Sequence, residues 1–150
     1  MNIAQHIAYL GLGSNLGNGE RNIQKAMEMI SDRVGEILAV SSFYKSEPWG
    51  FESEHLFTNN VIKLRTSLSP NKVLDITQEI EKEMGRTKKH KPGESYTDRI
   101  IDIDILTYDD LELRTERLTL PHPFIQERDF VRIPLEEING GNKVLHNNKN

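Results

Sequence analysis

Apolar and polar positions alternate along this chain with two different periods, and the boundaries between the two patterns define the predicted elements. A period near two predicts a strand, whereas apolar residues spaced three and four apart predict a helix. Strand patterns occur at residues 6–13 (HIAYLGLG), 36–48 (EILAVSSFYKSEP), 56–67 (LFTNNVIKLRTS) and within 97–106 (TDRIIDIDIL). Helical patterns occur at residues 20–34 (ERNIQKAMEMISDRV) and 69–85 (SPNKVLDITQEIEKEMG).

The two predicted helices carry further signals. In the second, Ser69 can cap the N-terminus, Pro70 suits the first turn and Gly85 ends the helix. The apolar stripe of the first consists of Ile23, Ala26, Met27 and Ile30. The order β-α-β-β-α-β is the split βαβ arrangement. We therefore predict a ferredoxin-like α+β sandwich with an antiparallel sheet, formed by residues 1–150 as a single domain.

Composition restricts the class of protein further. The chain has 150 residues, 36% hydrophobic and 28% charged, as expected for a globular domain. It lacks an apolar run near the ~20 residues that cross a bilayer, and it lacks a signal-peptide pattern. We therefore expect a cytoplasmic protein without membrane contacts. The absence of cysteine excludes disulfides and thiolate chemistry. The net charge of −4 argues against a general nucleic-acid binder. Separately, we expect the protein to be a monomer.

A glycine-rich segment, GLGSNLGNGE at residues 11–20, joins the first strand to the first helix. A dinucleotide fingerprint would need glycine where Leu16 stands, and the Gly-Lys-Ser/Thr of a P-loop is absent. We therefore interpret the segment as a tight turn in which glycine supplies unusual backbone angles.

Two aspartates interrupt the fourth strand pattern. Asp102 and Asp104 alternate with isoleucines, so their carboxylates point the same way about 6.6 Å apart. Like charges on one strand face repel each other. One interpretation is a strand whose polar face meets solvent. The other is a magnesium site, because carboxylate oxygens together with phosphate oxygens are the ligands that this ion prefers.

The segment before these aspartates is cationic. Residues 85–99 (GRTKKHKPGESYTDR) contain five lysines and arginines in a chain that is acidic overall. Such a run is usually a solvated surface. Beside a metal site it could instead neutralise a polyphosphate and close over it, which its proline and glycine would permit.

A histidine between two prolines follows in residues 117–130 (RLTLPHPFIQERDF). A lone histidine is more often structural than catalytic. His122, however, stands on a stiff extended backbone between Arg117 and Arg128. This combination favours a phosphate contact.

Six motifs, in this order, resemble the 6-hydroxymethyl-7,8-dihydropterin pyrophosphokinase family over nearly the whole chain. They are GLGSNLG, SSFYKSEPWG, FTNNV, QEIEKEMGR, DRIIDIDIL and LPHPFIQERDF. The last two, in this order and spacing, are the most specific. The resemblance implies a ferredoxin-like fold and, in folate biosynthesis, transfer of pyrophosphate from ATP to a pterin alcohol. It also implies two magnesium ions, attack at the β-phosphorus and release of AMP.

The resemblance further implies a role for individual residues. The metal ligands are Asp102 and Asp104. The catalytic residues are Arg86, Arg99, His122 and Arg128, the first two on a mobile loop that closes over ATP. The other ATP contacts are Gln78, Glu81, Lys89, Ile105, Arg117 and Thr119. The pterin contacts are Ser46, Trp49, Phe57, Asn59, Tyr96 and Phe130.

The chain departs from the family pattern just before the aspartate strand. Where the family commonly has Trp-Gly-Pro-Arg, this chain has Tyr96-Thr97-Asp98-Arg99, in a loop about three residues longer. We interpret Tyr96 as a substitute aromatic residue. Pro123 stands where some members carry tyrosine.

Two other classes of protein share part of this pattern. A palm-type nucleotidyltransferase also uses paired strand aspartates on a ferredoxin-like sheet, but it attacks the α-phosphorus and releases pyrophosphate. A ligand-sensing ferredoxin-like domain would consume no ATP, and it would leave the aspartate pair and the cationic segment unexplained. The nucleotide product distinguishes the three.

Overall fold

The computed structural model describes residues 4–47, 56–85 and 100–139. Within these ranges the strands are β1 (His6–Ser14), β2 (Glu36–Val40), β3 (Tyr44–Ser46), β4 (Phe57–Thr66), β5 (Asp102–Tyr108), β6 (Leu113–Arg114) and β7 (Thr119–Leu120). The helices are α1 (Gly19–Arg33), α2 (Pro70–Glu83) and α3 (Asp129–Ile138). None of these three helices has both the length and the apolar character of a membrane span.

The main sheet has the strand order β2-β4-β1-β5, and every neighbouring pair is antiparallel. The short strand β3 also pairs with β4, whereas β6 and β7 form a separate hairpin. This order confirms the predicted ferredoxin-like arrangement. Helices α1 and α2 share one hydrophobic core with one face of the sheet, and α3 packs into a second core on the opposite face.

The predicted helix signals are present in the structure. Ser69 caps α2, its Oγ accepting a hydrogen bond from the backbone N–H of Lys72 at 3.2 Å. Gly85 follows this helix with a φ of +114°, a value that glycine adopts without strain. In α1, Asn18 is the N-cap, and its side chain accepts from the N–H of Arg21 at 3.1 Å.

The glycine-rich segment is a tight turn, as interpreted from the sequence. Gly17 has a φ of +66°, which favours glycine. The side-chain amide of Asn22 donates to the carbonyl of Leu16 at 2.7 Å and to Oγ of Ser14 at 3.1 Å. The turn is therefore held by the first residues of the helix that follows it.

The prediction of one strand over residues 36–48 is wrong, because the chain leaves the ladder between β2 and β3. The backbone N–H of Val61 on β4 donates to Oγ of Ser41 at 2.9 Å. Glu137 of α3 accepts hydrogen bonds from the N–H and the hydroxyl of Ser42. One backbone bond, from the N–H of Ser41 to the carbonyl of Val61 at 2.9 Å, remains here, and side chains supply the other bonds. Alternation of apolar residues does not reveal such a break.

Helix α3 was not predicted from the sequence. It is ten residues long and contains Pro134, which has no N–H to donate within a helix and therefore argues against one. Val131 and Leu135 nevertheless bury themselves against the sheet, with exposed fractions of 7% and 1%. Tertiary packing outweighs the local cost of the proline.

Candidate active site

A row of three residues crosses the sheet at the end where β1 finishes. Gly13 on β1 is paired with Asn59 on β4 and with Asp102 on β5. Residues directly opposite each other in antiparallel strands point to the same face. Asn59 and Asp102 therefore share one face, two strand spacings or roughly 10 Å apart.

Glycine in the middle of this row keeps the space between the two polar residues open. A Cβ at Gly13 would lie 3.1 Å from Oδ1 of Asn59, closer than ordinary van der Waals contact. Gly11 is paired with Asp104 in the same way. Both aspartates therefore lie across from residues without side chains, on the face that is turned away from α1 and α2.

The aspartate pair fits magnesium by the chemistry of its donors. Asp102 and Asp104 are half-buried, while the isoleucines between and beside them are buried on the opposite face. Among the described residues there is no group of three or more His, Cys, Asp or Glu side chains that could hold a metal ion. Two carboxylates suit an ion that retains waters and substrate phosphate oxygens among its ligands, which is the usual mode for magnesium.

A cleft of about 810 Å³ opens along the outer edge of β5, between α2 and the segment that contains β7. Its size is sufficient for a nucleotide. Its lining brings together eight residues that the sequence analysis assigned to metal, phosphate or nucleotide: Gln78, Glu81, Asp102, Asp104, Ile105, Arg117, Thr119 and His122.

Other residues of this lining were missed by the sequence analysis. They are Lys72, Leu74, Asp75, Glu79, Lys82, Ile103, Leu118 and Pro123. On α2, Leu74, Asp75 and Lys82 lie three or four positions from Gln78, and Lys72 and Glu79 lie three and four positions from Asp75, so helical spacing could have found them. Asp75 forms an ion pair of 2.6 Å with Arg117, which links the two walls of the cleft.

Glu81 is the buried acid of this cleft, with an exposed fraction of 9%. Its Oε2 accepts a hydrogen bond of 2.7 Å from the backbone N–H of Ile103, the residue between the two aspartates. Because hydrogen-bonding groups alternate along a strand, the N–H and C=O of Ile105 point to the same open edge.

His122 is held as a neutral donor. Its Nδ1 accepts a hydrogen bond from the N–H of Phe124 at 3.2 Å, which leaves the ring proton on Nε2. Its own backbone N–H donates to the carbonyl of Leu106 at 2.8 Å, which fixes the segment to β5. Burial lowers the pKa of His122, and the positive charge of Arg128 lowers it further, whereas Asp102 raises it.

Arg128 lies at the N-terminus of α3, among aromatic rings. Its guanidinium carbon is 4.7 Å from the ring centroid of Phe124 and 5.8 Å from that of Phe130. These distances are within the range of cation–π attraction. The aromatic rings therefore restrict the orientation of the guanidinium on the side of the sheet that carries the aspartates.

Two of the predicted pterin contacts, Ser46 and Phe57, lie beside a third, Asn59. Its amide nitrogen donates to the carbonyl of Tyr44 at 3.0 Å and to Oγ of Ser46 at 2.9 Å. Phe57 precedes it by two residues on the same strand face and is paired with Ser46. Phe130, at the start of α3, packs against the core on this face.

Five of the predicted site residues lie outside the described residues. They are Trp49, Arg86, Lys89, Tyr96 and Arg99.

A ferredoxin-like sheet with an aspartate pair at its edge, beside a cleft of nucleotide size, is the arrangement of a phosphotransferase. A sequence model of one family of such enzymes, described as 7,8-dihydro-6-hydroxymethylpterin-pyrophosphokinase (HPPK), matches residues 9–140. This chain belongs to that family.

Individual relatives support this family assignment. The chain is 50% identical over 133 residues to the 2-amino-4-hydroxy-6-hydroxymethyldihydropteridine pyrophosphokinase of Porphyromonas gingivalis, covering 88% of this chain and 90% of that protein. It is 46% identical over 130 residues to the enzyme of the same name from Aquifex aeolicus, covering 87% and 78%. These matches confirm the family resemblance that the sequence motifs indicated.

Solved structures support the fold. A crystal structure of a triple mutant of HPPK-DHPS from Plasmodium falciparum matches with a TM-score of 0.71 at 16% sequence identity. The match covers 91% of this chain but only 41% of that longer chain. At this identity the likeness is evidence for the fold alone, and it agrees with the observed strand order.

Proposed function

We propose that this chain transfers the pyrophosphoryl group of ATP to 6-hydroxymethyl-7,8-dihydropterin and releases AMP, in a magnesium-dependent step of folate biosynthesis. One observation carries the proposal. Asp102 and Asp104 line the cleft along β5, and they also share the sheet face that carries Asn59. The aspartate pair would then hold metal between the nucleotide and the pterin, where group transfer between the two must occur.

The reaction forms one bond and breaks another. The pterin hydroxyl oxygen attacks the β-phosphorus, the bond between this phosphorus and the bridging oxygen breaks, and AMP departs with the electron pair. The hydroxyl proton passes to solvent. Two magnesium ions held by Asp102 and Asp104 would neutralise the phosphates and orient the reacting oxygens. The protein itself supplies position and charge, which dominate catalysis of phosphoryl transfer.

His122 and Arg128 would bind the phosphates in different ways. A neutral imidazole with its proton on Nε2 donates one hydrogen bond without adding charge, and its lowered pKa maintains that form at neutral pH. Arg128 adds positive charge on a guanidinium already oriented by two rings. By the family resemblance we assign Arg86, Arg99 and Lys89 to the phosphates as well.

The nucleoside would occupy the rest of the cleft. Gln78, Arg117 and Thr119 are placed on its walls, and Ile105 offers backbone groups at the strand edge. Leu74 and Leu118 add apolar surface suited to a purine ring. ATP would then lie with its phosphates toward the aspartates.

The pterin would lie over Gly13. The amide nitrogen of Asn59 is already bonded to Tyr44 and Ser46, so the side chain is fixed and its Oδ1 is oriented to accept from a pterin N–H. Phe57 and Phe130 supply aromatic surface on the same face, with Trp49 and Tyr96 assigned there by resemblance.

The nucleotide product tests this proposal. The protein is incubated with ATP, Mg²⁺ and the pterin alcohol, and the products are separated by anion-exchange chromatography. We expect AMP in amounts equal to the pterin diphosphate formed, and none when pterin or Mg²⁺ is omitted. Release of pyrophosphate would instead indicate a nucleotidyltransferase, and unchanged ATP a ligand-sensing domain.

A further inference from the structure

We infer that Glu81 is a positioning residue for the metal-binding aspartates rather than a nucleotide contact. Its carboxylate oxygen lies 2.7 Å from the backbone nitrogen of Ile103. That nitrogen belongs to the peptide unit directly after Asp102, and Asp104 follows one residue later. The inference builds on the proposed function for the identity of the metal and of the nucleotide.

The Ile103 N–H needs a partner because β5 is an edge strand. Strand β5 pairs only with β1 in the main sheet, as far as the described residues extend, so alternate N–H groups point outward. The side chain of Ile103 is buried, with 5% of the residue exposed, so an unpaired N–H at this position would be costly.

This bond restrains the backbone on which the aspartates stand. The C=O of Asp102 and the N–H of Ile103 belong to one rigid planar unit. Holding that plane fixes the backbone rotation at Asp102 and, through the next residue, the direction of Asp104. Two carboxylates about 6.6 Å apart bind a common substrate-bound metal only if both are correctly directed.

The carboxylate of Glu81 is unsuited to direct contact with the phosphates of the nucleotide. A carboxylate beside polyphosphate is repelled by it, and this repulsion is strongest where solvent is excluded. Burial with a backbone partner is the environment of a structural anchor on the cleft wall. The role that the family resemblance gave Glu81 is therefore changed from binding to orientation.

Two substitutions of Glu81 separate the effect of side-chain length from the effect of charge. Glu81→Gln retains an oxygen at the same distance from Ile103 but removes the charge, whereas Glu81→Asp retains the charge but is one methylene too short. Mn²⁺ affinity is measured by titration calorimetry with the non-transferable analogue α,β-methylene-ATP. We expect Glu81→Asp to weaken Mn²⁺ binding about tenfold or more, as for other residues that orient metal ligands, and Glu81→Gln to retain most of it.

A second measurement needs no metal. Amide hydrogen exchange at Ile103 in the metal-free protein should accelerate in Glu81→Asp and stay near the native rate in Glu81→Gln. Affinity for the nucleotide in EDTA should stay native in both variants, because the residue does not bind it. Glu28→Gln, an exposed acid on α1 outside the cleft, is the control for removal of one charge.

The outcomes are distinct. Native Mn²⁺ affinity in Glu81→Asp, or an equal loss in both variants, would overturn the inference. If Glu81→Asp does not fold, the Gln variant decides alone, since a tenfold loss there would show that charge rather than reach matters. Absence of AMP formation by the native protein would refute the proposed function without affecting these comparisons. AMP formation together with native metal binding in both variants would refute only the role of Glu81.

Discussion

The two faces of the sheet differ in what they contribute to this molecule. On the face toward α1 and α2, strands β1, β4 and β5 present mostly apolar side chains. Leu10, Leu12, Ile62, Leu64 and Ile103 are each no more than 5% exposed there. This face is the larger core, and its buried amide, that of Asn60, donates to Sδ of Met27 on α1 at 3.8 Å.

The face toward α3 is divided. At one end Tyr9, Val61 and Leu106 pack under the helix as a second core. At the other end the same strands present Gly13 and Asp102, outside this second core. Asp102 and Asp104, two like-charged residues on β5, are tolerated because the opposite face already supplies the burial that stabilises the sheet.

On the divided face, we expect the largest effect on turnover from the loss of a metal ligand. Asp102→Asn should lower kcat roughly 10³-fold, because ~4 kcal/mol of charge stabilisation disappears at 1.36 kcal/mol per tenfold. The melting temperature should not fall, since the substitution relieves repulsion between two carboxylates. An AMP assay together with thermal melting checks both parts. A variant with native turnover would show that the aspartate does not hold metal.

A substitution on the apolar face should lower stability and leave turnover nearly unchanged. Leu10 is completely buried, so Leu10→Ala should destabilise the fold by about 2–5 kcal/mol. Turnover measured well below the new melting temperature should remain close to native, because this side chain lies on the face opposite to Asn59 and the two aspartates. Urea unfolding and the AMP assay test the pair of expectations. A large loss of kcat without loss of stability would contradict the division between the faces.

The two glycines on the divided face provide a matched pair. In Gly13→Ala the new methyl group would lie 3.1 Å from Oδ1 of Asn59, whereas in Gly11→Ala the nearest atoms are those of Leu106 at 3.6 Å. We expect Gly13→Ala to raise the KM for pterin about tenfold, since a small displacement of a binding group is costly. The KM for ATP should change little.

Gly11→Ala is the control for this substitution, because its contacts are of ordinary van der Waals length. It should leave the KM for pterin near the native value. Equal effects of the two alanines on pterin binding would show that the space over Gly13 is not the pterin site.

Sequence patterns predicted the division of the faces better than they predicted the boundaries of the elements. The period-two pattern around Asp102 and Asp104 placed both on one face, and the register confirms this. Their proximity to Asn59, about 40 residues away in the sequence, came only from strand pairing. Periodicity carries no information about which strands become neighbours.

The errors have a common physical cause. Ser42 interrupts a strand pattern because Glu137, far along the chain, accepts its hydrogen bonds. Pro134 sits in a helix because the burial of α3 offsets its cost. Each depends on long-range contacts that local patterns do not record.

The smallest expected effect concerns the pH dependence of stability through His122. Its backbone N–H donates to Leu106 at one end of the divided face, and its pKa responds to Asp102 at the other. Burial lowers the pKa of His122 in the folded protein below its ordinary value, with Arg128 acting in the same direction and Asp102 against it. The unfolded chain therefore binds a proton more readily as the pH falls below about 6.5. The contribution of the neutral ring to stability is complete above that pH and is lost as the pH falls through the folded-state pKa. Protonation also removes the acceptor at Nδ1 that the N–H of Phe124 uses.

His122→Gln removes this titration, so its melting temperature should decline less than that of the native protein between roughly pH 8 and pH 5. The size of the difference reports how strongly the folded site disfavours the charged ring. Thermal melting of both proteins across that range is the measurement, with Leu10→Ala as a control that lowers stability without changing a titratable group. Parallel curves for native protein and His122→Gln would mean that the imidazole is not held neutral by its surroundings. A smaller decline of the melting temperature with falling pH in His122→Gln would support the assignment of His122 as an uncharged donor between the metal pair and the guanidinium of Arg128.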